Sequence, residues 1–288
     1  MISEAAPRRG SASRLATAFD AAGAAGRPLV IPFVTAGYPE AASTVPVVRA
    51  LAGAGADLVE IGIPFSDPLA DGPTIQRSSR QALRGGMSVA GVLEIVGCLR
   101  QDGAAIELPV VLMGYSNPLF AYGLEGFLDD AAAAGADGMI VADLPPEEAG
   151  EYLAGCRALG LSATFLVAPN APDERIRVVD DSSTHFSYCV TVTGITGARD
   201  SIEDRTLDFL ARMRSVARKP FVVGFGVKEP EHVRRLGPHA DGVVIGSALI
   251  DALAAAENPA SAAAALISPL RAAADQVAAG NATREGRR

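Results

Sequence analysis

The sequence predicts an α/β protein in which eight parallel strands close into a barrel surrounded by helices, and three observations lead to that prediction. Short apolar runs rich in β-branched residues recur along the 288 residues, which is typical of strands buried on both faces. Each run is followed by Gly, Pro, Asp or Asn and then by an Ala-, Leu- and Arg-rich stretch, as in a strand-plus-helix unit. There are eight runs, which favours a closed (β/α)8 TIM barrel over an open doubly wound sheet.

The predicted strands begin 22 to 34 residues apart, except for one gap of 52 that predicts an enlarged loop after the second strand. The strands cover residues 28–36, 56–64, 108–115, 138–144, 163–168, 186–192, 220–227 and 242–245. Crossover helices are predicted at 41–54, 91–102, 124–134, 146–159 and 229–236. An extra N-terminal helix at 13–22 would cap the floor of the barrel. No linker or charge switch divides the chain, so we expect one domain over 1–288, with frayed ends at about 1–10 and 280–288.

Composition excludes several classes of protein. The chain is 49% hydrophobic and 20% charged, which excludes disorder, collagen and coiled coil. Its net charge of −8, without a basic stripe, argues against nucleic acid as the main partner. No apolar run reaches the ~18 residues of a membrane span, and no apolar segment follows Arg8 and Arg9 as in a signal peptide. We therefore expect a cytoplasmic protein.

Cysteine, histidine and lysine usage limits the chemistry. The three cysteines are far apart and the three histidines lack metal-ligand spacing, so neither disulfides nor a metal site are expected. Only two lysines occur, Lys219 and Lys228. An enzyme that forms an imine needs a lysine in its active site, so imine chemistry is not expected, although Lys228 stays a candidate for it. Carboxylates, hydroxyls and backbone amides remain as the catalytic groups.

Glu60 is the leading catalytic candidate because it lies inside an apolar strand. Alternation puts it on the face of Leu58 and Gly62, and the glycine leaves room for a ligand. Burial there favours the neutral carboxyl and brings its pKa toward the range of a general acid or base. The alternative is a structural Glu paired with an Arg of a neighbouring strand, but no predicted strand contains an Arg.

Asp71 follows Glu60 in a loop punctuated by Pro and Gly, where we expect a more solvated and ionised carboxylate. Two carboxyls in unlike environments can divide acid–base and charge-stabilising roles. In the same loop, Ser66 and Asp67 are expected to cap a helix or shape a turn.

Glycines at the ends of the last two strands predict a phosphate site. Gly226 and Gly246, with Ser247 at the start of a short helix, would present backbone N–H groups to an anion, and the loops after strands seven and eight are the usual phosphate position of this fold.

Two glycines in residues 191–198, after Tyr188, suit a hinged lid or an ordinary mobile loop. Tyr115 and Asn117, after strand three, could contact substrate or a partner.

The sequence resembles the tryptophan synthase alpha subunit family over about residues 13–273. The segment VEIGIPFSDPLADGPTIQ at 59–76 carries the resemblance, and residues 32–37, 143–145, 194–197 and 224–226 support it. The family is a (β/α)8 barrel, and the resemblance implies a carbon–carbon lyase that splits indole-3-glycerol phosphate into indole and glyceraldehyde 3-phosphate.

Site roles also follow from the resemblance. It implies that Glu60 is the general acid–base, that Asp71 holds the indole N–H, and that Tyr188 lies beside Glu60. The implied phosphate ligands are Gly197, Gly226, Gly246 and Ser247, and Thr196, Phe225 and Tyr115 belong to the lid and substrate region. Some family members have Arg where this chain has Val192, so lid closure can differ here.

The resemblance further implies a partner, a pyridoxal-phosphate β subunit in an α2β2 complex, met by Asp67, Asn117 and Pro118. No cofactor is expected on this chain. Three alternatives stay open: a stand-alone lyase that releases free indole, a catalytically idle barrel that only activates a partner, and another phosphosugar enzyme such as an isomerase, which would not need the segment at 59–76.

Overall fold

The computed structural model describes residues 12–101, 105–190, 199–224 and 226–285. Within these residues nine strands, all parallel where they pair, form one sheet. The strands are β1 (Leu29–Thr35), β2 (Val59–Gly62), β3 (Val110–Gly114), β4 (Gly138–Val141), β5 (Ser162–Thr164), β6 (Leu166–Val167), β7 (Ser187–Val190), β8 (Phe221–Gly224) and β9 (Gly242–Ile245).

The sheet closes into a barrel because its two ends are parts of one chain segment. The strand order is β5-β4-β3-β2-β1-β9-β8-β7-β6, and only Phe165 separates β5 from β6. The Phe165 carbonyl accepts a hydrogen bond from the Tyr188 N–H at 3.0 Å, which continues the ladder toward β7. The barrel therefore has eight strand positions, and the predicted (β/α)8 fold is confirmed.

Helices surround the described part of the barrel. They are α1 (Ala12–Ala24), α2 (Thr44–Gly53), α3 (Pro73–Arg84), α4 (Val89–Leu99), α5 (Ser116–Tyr122), α6 (Leu124–Ala134), α7 (Gly150–Leu159), α8 (Asp173–Ser182), α9 (Arg199–Val216), α10 (Pro230–Leu236), α11 (Ser247–Ala254) and α12 (Pro259–Glu285). Short 3-10 turns at Ala41–Ser43 and Pro146–Glu148 precede α2 and α7, where the sequence predicted continuous helices.

Helix α1 covers the floor of the barrel, as predicted. Leu15 is fully buried and lies against Gly138, where a Cβ would meet its side chain at 3.4 Å. The rings of Phe19 and Phe186 are 5.2 Å apart. These contacts close the end of the barrel at which the strands begin.

The structure corrects the expectation about the segment after β2. The wide gap after β2 is not only a loop, because it holds α3 as well as α4; Pro73 occupies the first turn of α3 after Gly72, a position that favours helix initiation. Helix α12 extends to Glu285, and the frayed end expected at about 280–288 stays a prediction. Its Ala-rich sequence has a high helix propensity.

None of the helices in the described ranges is by itself long and apolar enough to cross a membrane. In the part of the chain that the structure describes, one pair of helices, α3 and α4 across a 95° bend, has the length and composition of a span when taken together.

Candidate active site

Glu60 points into the barrel from the middle of β2. It pairs in register with Phe33 of β1, and Gly62, two residues on, pairs with Met113 of β3. Phe33 and Met113 both line the cavity at the mouth of the barrel. Because residues in register across parallel strands share a face, Glu60 lies on the inner face, as alternation predicted.

The carboxyl of Glu60 has no compensating partner among the described residues. The residue is fully buried, and neither oxygen has a hydrogen-bond partner there. Burial raises its pKa from 4.5 to about 8, because removal from water penalises the charged form. A carboxyl in this state is protonated at neutral pH and can serve as a proton donor.

The space over Gly62 is not left for a ligand, contrary to the expectation. The ring of Phe33 fills it, and a Cβ on Gly62 would lie 2.5 Å from the ring. Any side chain at position 62 would displace Phe33 from the wall of the cavity. The glycine therefore sets the position of the aromatic wall next to Glu60.

A cavity of about 440 Å³ opens at the carboxyl ends of the strands. Its apolar wall is formed by Phe33, Met113, Leu166 and Val244, among others. Cavities of this size hold small organic molecules, and apolar walls suit flat hydrophobic rings. Glu60 does not itself line the cavity, but its neighbours Phe33 and Tyr188 do.

Asp71 lines the same cavity from the loop after β2. Burial raises its pKa from 3.8 to about 6, and a hydrogen bond from the Tyr115 hydroxyl opposes that shift. The Tyr115 oxygen also accepts a hydrogen bond from the Ala70 N–H at 3.1 Å. Asp71 is thus less solvated than expected, yet still ionised at neutral pH.

Tyr188 of β7 is close enough to both carboxyls for their charges to affect its pKa. It is buried, and its pKa is raised well above 10, first by burial and then by the charges of Glu60 and Asp71. Its hydroxyl occupies the space beside Gly224, where a Cβ would lie 2.7 Å away. The structure therefore brings Glu60, Asp71 and Tyr188 together.

At the carboxyl ends of β8 and β9 the cavity is lined in part by small residues. Gly226, Gly246 and Ser247 line it, and Ser247 begins α11. Gly226 has a φ of 63°, a left-handed conformation that strains other residues. Free N–H groups at a helix start attract anions, so this end suits a phosphate.

Asp67, Asn117 and Pro118 lie outside the cavity lining. Asp67 is exposed and accepts a hydrogen bond from the Ser66 hydroxyl, in agreement with a turn. Asn117 is exposed on α5 and Pro118 is half-buried. Nearby in the chain, Leu69 is 91% exposed and Phe120 is 54% exposed.

Several predicted site residues lie outside the described residues, so they are not part of the site as described. They are Thr196 and Gly197 of the lid segment 191–198, Val192 in the same segment, and Phe225.

Sequence reasoning missed Phe33 and Met113 as site residues. Both were placed in predicted strands, and extending the alternation argument from Glu60 across neighbouring strands would have found them. Among the described residues, no three His, Cys, Asp or Glu side chains form a group that could hold a metal ion.

Comparisons with known proteins agree on one family. The family model described as "Tryptophan synthase alpha chain" matches residues 19–278. The tryptophan synthase alpha chain of Roseiflexus castenholzii is 48% identical over 241 residues, which is 84% of this chain and 92% of that protein. That of Chlorobium luteolum is 45% identical over 243 residues, covering 82% and 90%.

Solved structures agree with the sequence matches. Tryptophan synthase subunit alpha from Legionella pneumophila superposes with a TM-score of 0.83 at 35% identity, covering 91% of this chain and 98% of that one. Tryptophan synthase from M. tuberculosis, in an open form with BRD0059 bound, gives 0.81 at 35% identity, covering 91% and 98%. The chain therefore belongs to the tryptophan synthase alpha chain family, the carbon–carbon lyases of tryptophan biosynthesis.

Proposed function

We propose that this chain cleaves indole-3-glycerol phosphate into indole and glyceraldehyde 3-phosphate, with Glu60 moving the proton that the reaction requires. The observation that carries the proposal is the state of Glu60, which is fully buried inside the barrel without a partner among the described residues. Burying an uncompensated carboxyl is costly, and enzymes place such groups where they act.

The reaction begins with a proton transfer to carbon. The protonated carboxyl of Glu60 donates its proton to C3 of the indole ring, which becomes positively charged. The carboxyl must turn toward the cavity to do so, and no hydrogen bond from the described residues holds it back. Asp71, ionised and hydrogen-bonded by Tyr115, accepts the indole N–H and stabilises the positive charge.

Bond cleavage then returns the proton to the enzyme. The Glu60 carboxylate removes the proton from the glycerol hydroxyl next to the ring. The carbon–carbon bond breaks, its electrons return to the indole ring, and an aldehyde forms on the phosphate-bearing fragment. One proton has moved from the hydroxyl to C3, and Glu60 is again protonated.

The two ends of the cavity match the two ends of this substrate. The apolar wall suits the indole ring, with Asp71 at the nitrogen. Gly226, Gly246 and Ser247 suit the phosphate, and in the proposal Gly197, Thr196 and Phe225 complete that end and the lid. Tyr188 packs beside Glu60 and keeps water away from the reacting atoms.

The proposal includes a pyridoxal-phosphate β subunit as partner, in an α2β2 complex. The exposed apolar side chains of Leu69 and Phe120 support a partner surface around Asp67, Asn117 and Pro118, because such side chains often mark interfaces. Tyr115 links the two parts of this surface, since it binds the Ala70 N–H and precedes α5. In this scheme the chain has no cofactor of its own and works in the cytoplasm.

An assay of indole release from indole-3-glycerol phosphate, with and without the β subunit, tests the proposal. We expect slow turnover by the chain alone and strong activation on mixing. Rapid turnover alone, without further activation, would favour the stand-alone lyase. Activation of the β subunit without any indole release would indicate the idle barrel, and would reject the role of Glu60.

A further inference from the structure

The phosphate end of the cavity contains a cation that the proposed function has not used. Among the described residues that line the cavity, three have a charged side chain: Asp71, Lys228 and Asp251. Asp71 belongs to the loop after β2. Lys228 follows Gly226 by two residues on the segment after β8, and Asp251 is four residues beyond Ser247 on α11, about one turn along the helix.

The negative charge of Asp251 is already compensated. Its carboxylate pairs with the guanidinium of Arg77, with 2.6 Å between Oδ1 and the nearest guanidinium nitrogen. Because Arg77 lies on α3, this ion pair also joins the helix after the Asp71 loop to the helix that begins at Ser247. The pair leaves little net charge at this side of the cavity mouth.

Lys228, in contrast, has no ion partner among the described residues, and its side chain is exposed. Its backbone N–H donates to Nδ1 of His232 at 3.3 Å, which holds the main chain at this position. The ammonium of Lys219, the other lysine, is fully occupied, because it donates to three backbone carbonyls: those of Asp180, Asp181 and Ser183, at 2.6, 3.1 and 2.5 Å.

A phosphate monoester carries a charge of about −1.5 to −2 at neutral pH. Backbone N–H groups and a serine hydroxyl supply only partial positive charge, and the chain as a whole has a net charge of −8, which opposes the approach of an anion. A full positive charge at the phosphate end would offset that repulsion.

We propose that Lys228 is a substrate-binding residue whose ammonium pairs with the phosphate of the substrate. The inference rests on the proposed function, because it takes the end formed by Gly226, Gly246 and Ser247 as the phosphate site. Lys228 makes no contribution to the proton transfers in this scheme. It increases the affinity for phosphorylated ligands and leaves the affinity for indole unchanged.

The test compares K228M and K228R with R177M, which removes a positive charge from an exposed position of α8 outside the cavity lining. At low ionic strength we expect K228M to raise KM for indole-3-glycerol phosphate and Ki for glycerol 3-phosphate about threefold to tenfold. We expect kcat and the Ki for indole to change by less than about twofold. K228R should stay close to the parent chain, R177M should have no effect, and salt should reduce the difference.

A K228M variant that matches R177M in KM and in Ki for glycerol 3-phosphate would overturn the inference. So would trapping of Lys228 by borohydride in the presence of glyceraldehyde 3-phosphate, because that result indicates an imine. The variant S247D tests the phosphate site independently of Lys228. If S247D raises KM and K228M does not, only the role of Lys228 is wrong; if S247D has no effect, the phosphate site itself is wrong.

Discussion

Two carboxyl groups three residues apart, one just before strand β2 and one within it, have opposite surroundings. Asp57, just before the strand, pairs with Arg27 at 2.7 Å and Arg271 at 2.9 Å and accepts the Val30 N–H at 2.9 Å. Glu60, three residues later, is more deeply buried and has no partner among the described residues. The segment 57–60 therefore holds one fully compensated carboxylate and one uncompensated carboxyl.

The compensated arrangement recurs around the floor of the barrel. Asp137, before β4, accepts the Val110 N–H at 2.8 Å and pairs with two arginines, Arg14 and Arg100. Asp241, before β9, accepts the Phe221 N–H at 2.9 Å. In each case the carboxylate bonds to the backbone of the neighbouring strand, so these residues fix the strands to each other.

The difference separates stability from catalysis. In barrels of this type, residues at the floor stabilise the fold and residues at the carboxyl ends of the strands perform the chemistry. Burial raises the pKa of Asp137, and the Val110 N–H and the two arginines oppose that shift. The same donors hold such a carboxylate in one position. A carboxyl without donors keeps its proton and is not fixed by hydrogen bonds, which suits a group that must give up a proton and take it back.

The largest expected effect is the loss of turnover in Glu60→Gln. The amide has nearly the same shape but cannot transfer a proton, so kcat should fall about 10²- to 10⁴-fold. KM for indole-3-glycerol phosphate should change only slightly, because the phosphate end is intact. Steady-state kinetics of indole release measures both quantities, and E151Q, at an exposed position of α7, is the matched control. Unchanged kcat in E60Q would remove Glu60 from the mechanism.

Asp137→Asn tests the floor of the barrel. The substitution leaves Arg14 and Arg100 without their anion, and we expect the free energy of unfolding to fall by about 2–4 kcal/mol. The estimate is below the full value for a buried pair, because the Arg14 side chain is 26% exposed. Turnover per folded molecule should be preserved.

Urea unfolding measures the stability effect, and D129N, at an exposed position of α6, controls for the loss of one negative charge. A loss of kcat in folded D137N, with stability intact, would contradict the division between the two ends of the barrel.

Glu60→Gln should also stabilise the protein, and the gain should grow with pH. The pKa of Glu60 is about 8 when folded, against 4.5 as the ordinary value, so between these pH values the folded state holds a proton that the unfolded state has lost. Stability therefore falls as pH rises through this window, by about 1.4 kcal/mol for each pH unit at most. Glutamine does not titrate and escapes this loss.

Urea unfolding of both chains at pH 5 and pH 8 measures the effect. We expect E60Q to gain a few kcal/mol over the parent chain at pH 8 and much less at pH 5. A gain of equal size at both values would show that the carboxyl does not hold its proton in the folded state.

The fold and the central residues of the site were predictable because they depend on local pattern. The eight apolar runs predicted the barrel positions, and alternation from Leu58 to Gly62 placed Glu60 on the inner face. The Ala-Asp dipeptide that repeats before β2, β4 and β9 marks the carboxylates at the floor of the barrel, and it was not identified from the sequence. Recognising its role requires the partner arginines, which come from distant parts of the chain, as in the pair between Asp57 and Arg271.

Tertiary contacts decided what the sequence could not show. The ring of Phe33, from a neighbouring strand, fills the space over Gly62. The pKa of Asp71 depends on the burial of its loop and on the hydrogen bond from Tyr115. Spacing along the chain predicts neither contact. The roles of Thr196, Gly197 and Phe225 stay predictions.

Tyr115→Phe should have the smallest effect and should act through Asp71. If ionised Asp71 and protonated Glu60 are both required, kcat/KM rises as pH passes about 6 and falls as it passes about 8. The Tyr115 hydroxyl lowers the pKa of Asp71, so its loss should move only the rising limb, to higher pH. Near pH 8 the activity should fall no more than about threefold, because one hydrogen bond to a partly exposed loop is lost. A shift of the falling limb instead would place Tyr115 with Glu60.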